Sequence, residues 1–215
     1  MKFPPKIGQA RYSDARHASI LDAALRCFAA RGVIHTTIED IRQESGASVG
    51  SIYHHFESKE AIAATAYLYG LNRYQSSFVE ELNRHTDVQS GVRAMVAFHV
   101  DWCAANPELT SFLLTSRSPE VIRETAELAE DLNRYFLESL QVWWRPHVHY
   151  GSVRDIDMQL CLALWLGPAM EFCRYSLAQA SPARRRNVKR VLADAAWQSL
   201  ENPARPEPVL KSVDG

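Results

Sequence analysis

The residues most able to do chemistry are packed into one short stretch. Gly46-Ala47-Ser48-Val49-Gly50 has the GxSxG spacing of a nucleophile elbow, in which a serine on a tight strand-to-helix turn attacks an acyl carbon. Ser51, Tyr53, His54 and Lys59 follow at once, and they suit binding rather than catalysis, being hydroxyls, an imidazole and an ammonium that can meet phosphate oxygens and base edges. His54 and His55 are joined by His147-x-His149 as possible metal ligands. No further donors stand at ligand spacing around the second pair, so these are expected to be solvated loop histidines, with no metal site and no cofactor.

The elements that carry these residues decide between catalysis and binding. An elbow needs a buried strand before its serine, whereas Ile38 to Glu44 reads as a capped helix and no run in the chain shows sustained alternation. Ser48 is therefore expected to be a helix N-cap. A hydrolase with Ser48 as nucleophile is the rival enzyme reading.

Apolar residues recur at three- and four-residue steps almost throughout, which predicts an all-α protein of about nine helices. The first runs from about Asp14 to Arg31, carries Ile20, Ala24 and Phe28 on one stripe, and stops at a left-handed Gly32. Thr36 is expected to open a short helix, with Glu39 returning the capping bond and Ile38 and Ile41 facing inward. Gly46 ends that helix, and Ser48 caps a second one reaching about His55. Ser58 opens a long helix to about His85, Thr86 or Asp87 caps the next, and Pro107 follows Asn106 at another start. Ser118-Pro119 begins a helix to about Trp144 that Pro146 terminates, Ser152 one to about Ala180, and Ser181-Pro182 the last. Pro168 beside Gly167 predicts a kink. The expected layout is a basic flexible arm over 1–13, a three-helix head over 14–60, a helical body over 61–201 and a disordered tail over 202–215.

Two short helices joined by a glycine turn are the geometry of a helix-turn-helix, here within residues 36–56. The run Thr36-Thr37-Ile38 through Ile41, Ser45 through Phe56 and Ser58-Lys59-Glu60, with upstream Ile20, Ala24, Phe28 and Gly32, closely resembles the head of the tetracycline-repressor (TetR/AcrR) family. The likeness spans roughly residues 14–62. It implies a dimeric, ligand-responsive transcriptional repressor that binds a pseudo-palindromic double-stranded DNA operator. On that reading Thr37, Ser48, Gly50, Ser51, Tyr53, His54 and Lys59 form the DNA surface: Ser51 probes bases, and Tyr53 and Lys59 hold phosphates. Ile38, Ile41, Val49, Ile52 and Phe56 are scaffold, and Arg42 is expected to face solvent.

For the body, the resemblance implies a four-helix dimer interface from the last two helices, carried by Leu160, Leu164, Phe172, Tyr175, Val188, Val191 and Ala195 with Leu192 and Trp197 nearby. It also implies an effector pocket. The aromatic-rich set Tyr67, Phe98, His99, Trp102, Phe112, Tyr135, Trp143 and Trp165 is suited to a hydrophobic or aromatic small molecule, though such a stripe also makes plain core. A helical sensor that has lost DNA binding is the remaining alternative.

Composition limits the other classes. Hydrophobic residues make up 47% and charged ones 23% of 215 residues, as in an ordinary globular protein, which excludes collagen-like and low-complexity chains. The apolar stretch Leu160 to Met170 is too short to span a bilayer and the first residues lack an apolar signal core, so a cytoplasmic protein with no membrane partner is expected. Net charge is -1, so DNA contact must come from local charge such as Lys2, Lys6, Arg11 and Arg16 against Asp14. Cys27, Cys103, Cys161 and Cys173 show no CxxC spacing and are expected to pack, reduced, as small hydrophobes.

Overall fold

The computed structural model describes residues 15–115 and 119–204. Among these, nine α-helices follow one another: α1 Ala15–His35, α2 Ile38–Ser45, α3 Val49–His55, α4 Lys59–Leu82, α5 Val88–Ala105, α6 Pro107–Thr115, α7 Pro119–His149, α8 Met158–Tyr175 and α9 Pro182–Leu200. A 3₁₀ turn, Leu177–Gln179, links the last two. The β interaction among the described residues is an isolated bridge between Val153 and Glu201. The arm residues Lys2, Lys6 and Arg11, the expected helix start at Asp14, Ser118 and the tail beyond residue 204 lie outside the described residues.

Side chains three residues apart set most helix starts. Ser48, Ser58, Asp87 and Ser181 each accept a hydrogen bond from the backbone amide three residues on, satisfying donors that have no partner inside the helix. Gly46 closes α2 in the left-handed conformation at φ 64, ψ 13. Gly32 also breaks α1, but at φ 78, ψ 161, an extended positive-φ region open essentially to glycine alone rather than the left-handed helical one.

Four boundaries depart from expectation. The capping box is Thr37 with Asp40, not Thr36 with Glu39: Thr36 is buried, and its hydroxyl donates back to the Gly32 carbonyl at 2.8 Å. Pro146 does not end α7, which runs on to His149. A proline removes its own amide bond and crowds the carbonyl four residues back, yet the turn beyond is fastened by His147 against the Trp143 ring, centroids 4.7 Å apart, until Gly151 turns the chain at φ 66. Ser152 does not start α8; Asp157 does, accepting from the Gln159 and Leu160 amides. The intervening segment is tied instead to the end of α9 by the Arg154 amide on the Leu200 carbonyl at 2.9 Å. The α-helical part of α8 stops at Tyr175, short of Ala180, and runs through Pro168 as one helix.

Two apolar clusters result. The head cluster joins Ile20, Leu21, Ala24, Phe28, Ile41, Ala47, Ile52 and Phe56. It does not close on itself: Ile62, Ala63 and Ala66 of α4, Leu109 and Phe112 of α6 and Val121 of α7 complete it. The body cluster is built from α4, α5, α7, α8 and α9 around Phe78, Met95, Trp144, Trp165 and Trp197. Trp102 touches both.

Candidate nucleic-acid interface

The head presents α3 on a rigid support. Within its seven residues Ile52 is fully buried, and Phe56 just beyond is buried too, so the helix cannot roll without emptying the head core. The opposite face is open: Gly50 and His54 are exposed, Ser51 is half-buried, and Tyr53 keeps 52% of its surface. Val49, expected as scaffold, is instead 44% exposed at the first turn, because the cap places it on the outer side. His55 turns inward, its ring 5.9 Å from His17, which stacks on Phe56 at 4.5 Å. The exposed His54 ring meets the His55 ring edge-on at 5.1 Å.

Ser48 is a cap. Its Oγ accepts the Ser51 amide at 3.1 Å, and the element before it is helix α2 rather than a strand, so the strained elbow that would expose a nucleophile is not built here.

Around α3 the charges are largely committed to one another. Asp40 accepts from the Thr37 backbone amide and hydroxyl, both at 2.8 Å, and from Arg31 at 2.5 Å. The Thr37 amide, then the Thr37 hydroxyl, then Arg31 hold the Asp40 carboxyl down at about 2. Thr37 is thus the cap of α2, with its amide already given to a carboxylate. Arg42 forks onto Glu39 with two bonds of 2.6 Å, and that pair holds the Glu39 carboxyl at about 2, helped by Gln43. Lys59 reaches back from the first turn of α4 to the Ile34 carbonyl at 3.3 Å and sits 3.9 Å from Glu60. Its ammonium is thereby held between the end of α1 and the start of α4.

The aromatic set of the body is divided between the two apolar clusters. Phe98, His99 and Trp102 surround Tyr74, whose hydroxyl lies 2.7 Å from the His99 Nδ1. Trp143 and Trp165 stack at 6.0 Å, with their indole N–H groups on the carbonyls of His85 and Val92. Phe112 stacks on Phe28 of the head at 5.6 Å, and Tyr67 packs against the same cluster. Tyr135 is half-buried on α7. Tyr74, absent from the aromatic set expected from sequence, is the hub of the group with Phe98, His99 and Trp102, and only its packing from α4 against α5 reveals it. A cleft of about 200 Å³ opens beside α1, α4 and α6, between Asp22, Arg26, Tyr69, Arg73 and Glu108.

The outer face of α8 and α9 is apolar and uncovered. Leu160 is 47%, Met170 39%, Tyr175 70% and Val191 47% exposed, with Ala195 exposed and Leu164, Phe172 and Val188 half-buried alongside. Trp197 turns inward to the body core.

Residues 20–66 match the bacterial regulatory proteins, tetR family. The chain is 30% identical over 142 residues to the HTH-type transcriptional repressor AcnR of Corynebacterium diphtheriae, covering 65% of this chain and 69% of AcnR. It is 28% identical over 158 residues to the repressor KstR2 of Rhodococcus jostii, covering 73% and 78% respectively. In structure it resembles the transcriptional regulator FadR from Bacillus subtilis, solved with stearoyl-CoA, at a TM-score of 0.69 and 16% identity over 84% of this chain and 97% of FadR. With a buried Ile52 and Phe56 holding an exposed α3 in the segment matched, the chain belongs to the tetR family of bacterial regulatory proteins.

Proposed function

We propose that the protein is a homodimeric transcriptional repressor that binds a pseudo-palindromic operator and leaves it when a hydrophobic or aromatic small molecule binds the body. The observation that carries this reading is the two-sided character of α3: Ile52 and Phe56 anchor it while Gly50, Ser51, Tyr53 and His54 face outward. Ser51 is assigned to a base edge, and Tyr53, His54 and Lys59 to phosphates. A single seven-residue helix covers too little DNA for specific binding, so two heads are needed, about one helical turn or a multiple apart. The exposed face of α8 and α9 supplies the second copy.

The connection to an effector runs through the shared head cluster. Because Leu109, Phe112 and Val121 of the body complete the core that holds Phe28 and Ile62, a shift of α6 or the start of α7 must move α1 and α4. A ligand that favours the arrangement with wrongly spaced heads by a few kcal/mol then empties the operator. An apolar ligand is supported by the aromatic cluster around Tyr74 and by the stearoyl-CoA in complex with which FadR, of the same fold, was solved.

The test is an electrophoretic shift or anisotropy titration of the purified chain on DNA upstream of its own gene, at two salt concentrations. A sequence-specific, salt-sensitive shift is expected. No specific shift on any tested intergenic fragment would leave a helical sensor that does not bind DNA.

A further inference from the structure

The body core gathers three metal-ligating side chains at one point. His99 and Cys103 stand four residues apart on one face of α5, and Cys173 meets them from α8. All three are buried, at 4%, 3% and 6% exposure. The His99 Nε2 lies 3.8 Å from the Cys103 Sγ, and the three donor atoms all fall within 4.8 Å of one another. The other ring nitrogen, Nδ1, is taken by the Tyr74 hydroxyl at 2.7 Å. That is the arrangement by which a ligating histidine is usually oriented, with one nitrogen held by a neighbour and the other left to the metal. The Thr110 hydroxyl, at 3.2 Å from the Cys103 carbonyl, fixes the end of α5 beside the cluster.

We propose that His99, Cys103 and Cys173 form a buried three-coordinate site for a thiophilic cation, and that the ion is Cu(I). Ordinary metal–sulfur and metal–nitrogen bond lengths put two ligands of one metal about 3.5 to 4 Å apart, and the His99 to Cys103 separation of 3.8 Å lies in that range. Two thiolates and one imidazole are the donor set that selects a soft ion over magnesium, calcium or manganese. Among the described residues no fourth histidine, cysteine or carboxylate joins the group, so Zn(II), which completes three protein ligands with a water, would need that water beside three buried donors, whereas a three-coordinate Cu(I) would not. Ligation releases the thiol protons to solvent and bonds α5 to α8 across the core. The inert packing expected of all four cysteines from their sequence spacing then holds for Cys27 and Cys161 only. The site does not depend on the DNA reading.

The experiment is an anaerobic titration of the reduced full-length protein with Cu(I) against a chromophoric Cu(I) chelator. One equivalent bound per chain is expected, with a thiolate-to-copper charge-transfer band in the ultraviolet and a raised melting temperature. Cys103→Ser and Cys173→Ser should each remove the tight equivalent, while Cys161→Ser keeps it. X-ray absorption on the copper-loaded wild type should find two sulfur neighbours and one nitrogen, a result independent of whether the variants fold. Failure to compete with the chelator, retention of the equivalent in both serine variants, a copper shell of nitrogen and oxygen alone, or uptake of Zn(II) in place of Cu(I) would overturn the proposal.

Discussion

Tyr53 and Ile52 are neighbours in the chain with opposite duties, and the difference lies in which face of α3 each occupies. With half its surface in solvent, Tyr53 contributes little to the head core, so Tyr53→Ala should leave the melting temperature nearly unchanged. The same change should weaken binding to all DNA sequences alike, on the order of tenfold. Ser51 changes should instead alter preference among operator variants, read by comparing affinities across a mutated operator series. Asp40 adds a pH dependence. Its folded carboxyl titrates at about 2, below the ordinary range near ~3.9, so its support of α2 is fully present above that range and drains away as pH falls through about 2. Asp40→Asn should flatten the acid limb of the melting-temperature profile between about pH 4 and 2 relative to wild type.

Among the helices, the ends are set by local chemistry and the contacts by shape. Gly32 occupies a backbone region that side chains rarely enter, at φ 78, ψ 161. Gly32→Ala should therefore cost about 1 to 3 kcal/mol by chemical denaturation although nothing crowds a methyl group there. Gly70 is the converse case. A Cβ at that position on α4 would lie 2.5 Å from the Leu109 Cδ1 on α6, so Gly70→Ala should push the buried Leu109 side chain off its rotamer and cost about 0.5 to 1.5 kcal/mol. Because Leu109 belongs to the head cluster, the same variant should also change DNA affinity, whereas Gly32→Ala tests the head alone.

Across the chain as a whole, the apolar face of α8 and α9 is left uncovered in a single copy. Leu160, Met170, Tyr175 and Val191 together expose more apolar side chain than scattered surface residues do. A double change of Leu160→Glu and Val191→Arg should convert the proposed dimer to monomers in analytical ultracentrifugation and lower operator affinity on the order of a hundredfold or more, since one head alone covers too little DNA. The head core, with Ile52 and Phe56 buried, should keep its helical circular dichroism. Retention of a dimer in that variant would place the interface elsewhere.

Local sequence is enough for the all-α class, the caps at Ser48, Ser58 and Ser181, the turn at Gly46 and the inward set Ile41, Ile52 and Phe56. Each depends on residues within four positions, where spacing is geometry. Long-range packing settles the remainder. Thr36 loses the cap to Thr37 because burial turns its hydroxyl onto α1, and α7 passes Pro146 with His147 packed on Trp143, whose indole N–H is held by the distant His85 carbonyl. Val49 faces outward once its cap fixes the start of α3. The head borrows part of its core from α4, α6 and α7, a dependence no window of sequence contains. His99 and Cys103 are legible as a helical pair, but Cys173 stands seventy residues away, and only the packing of α8 on α5 brings its sulfur to them.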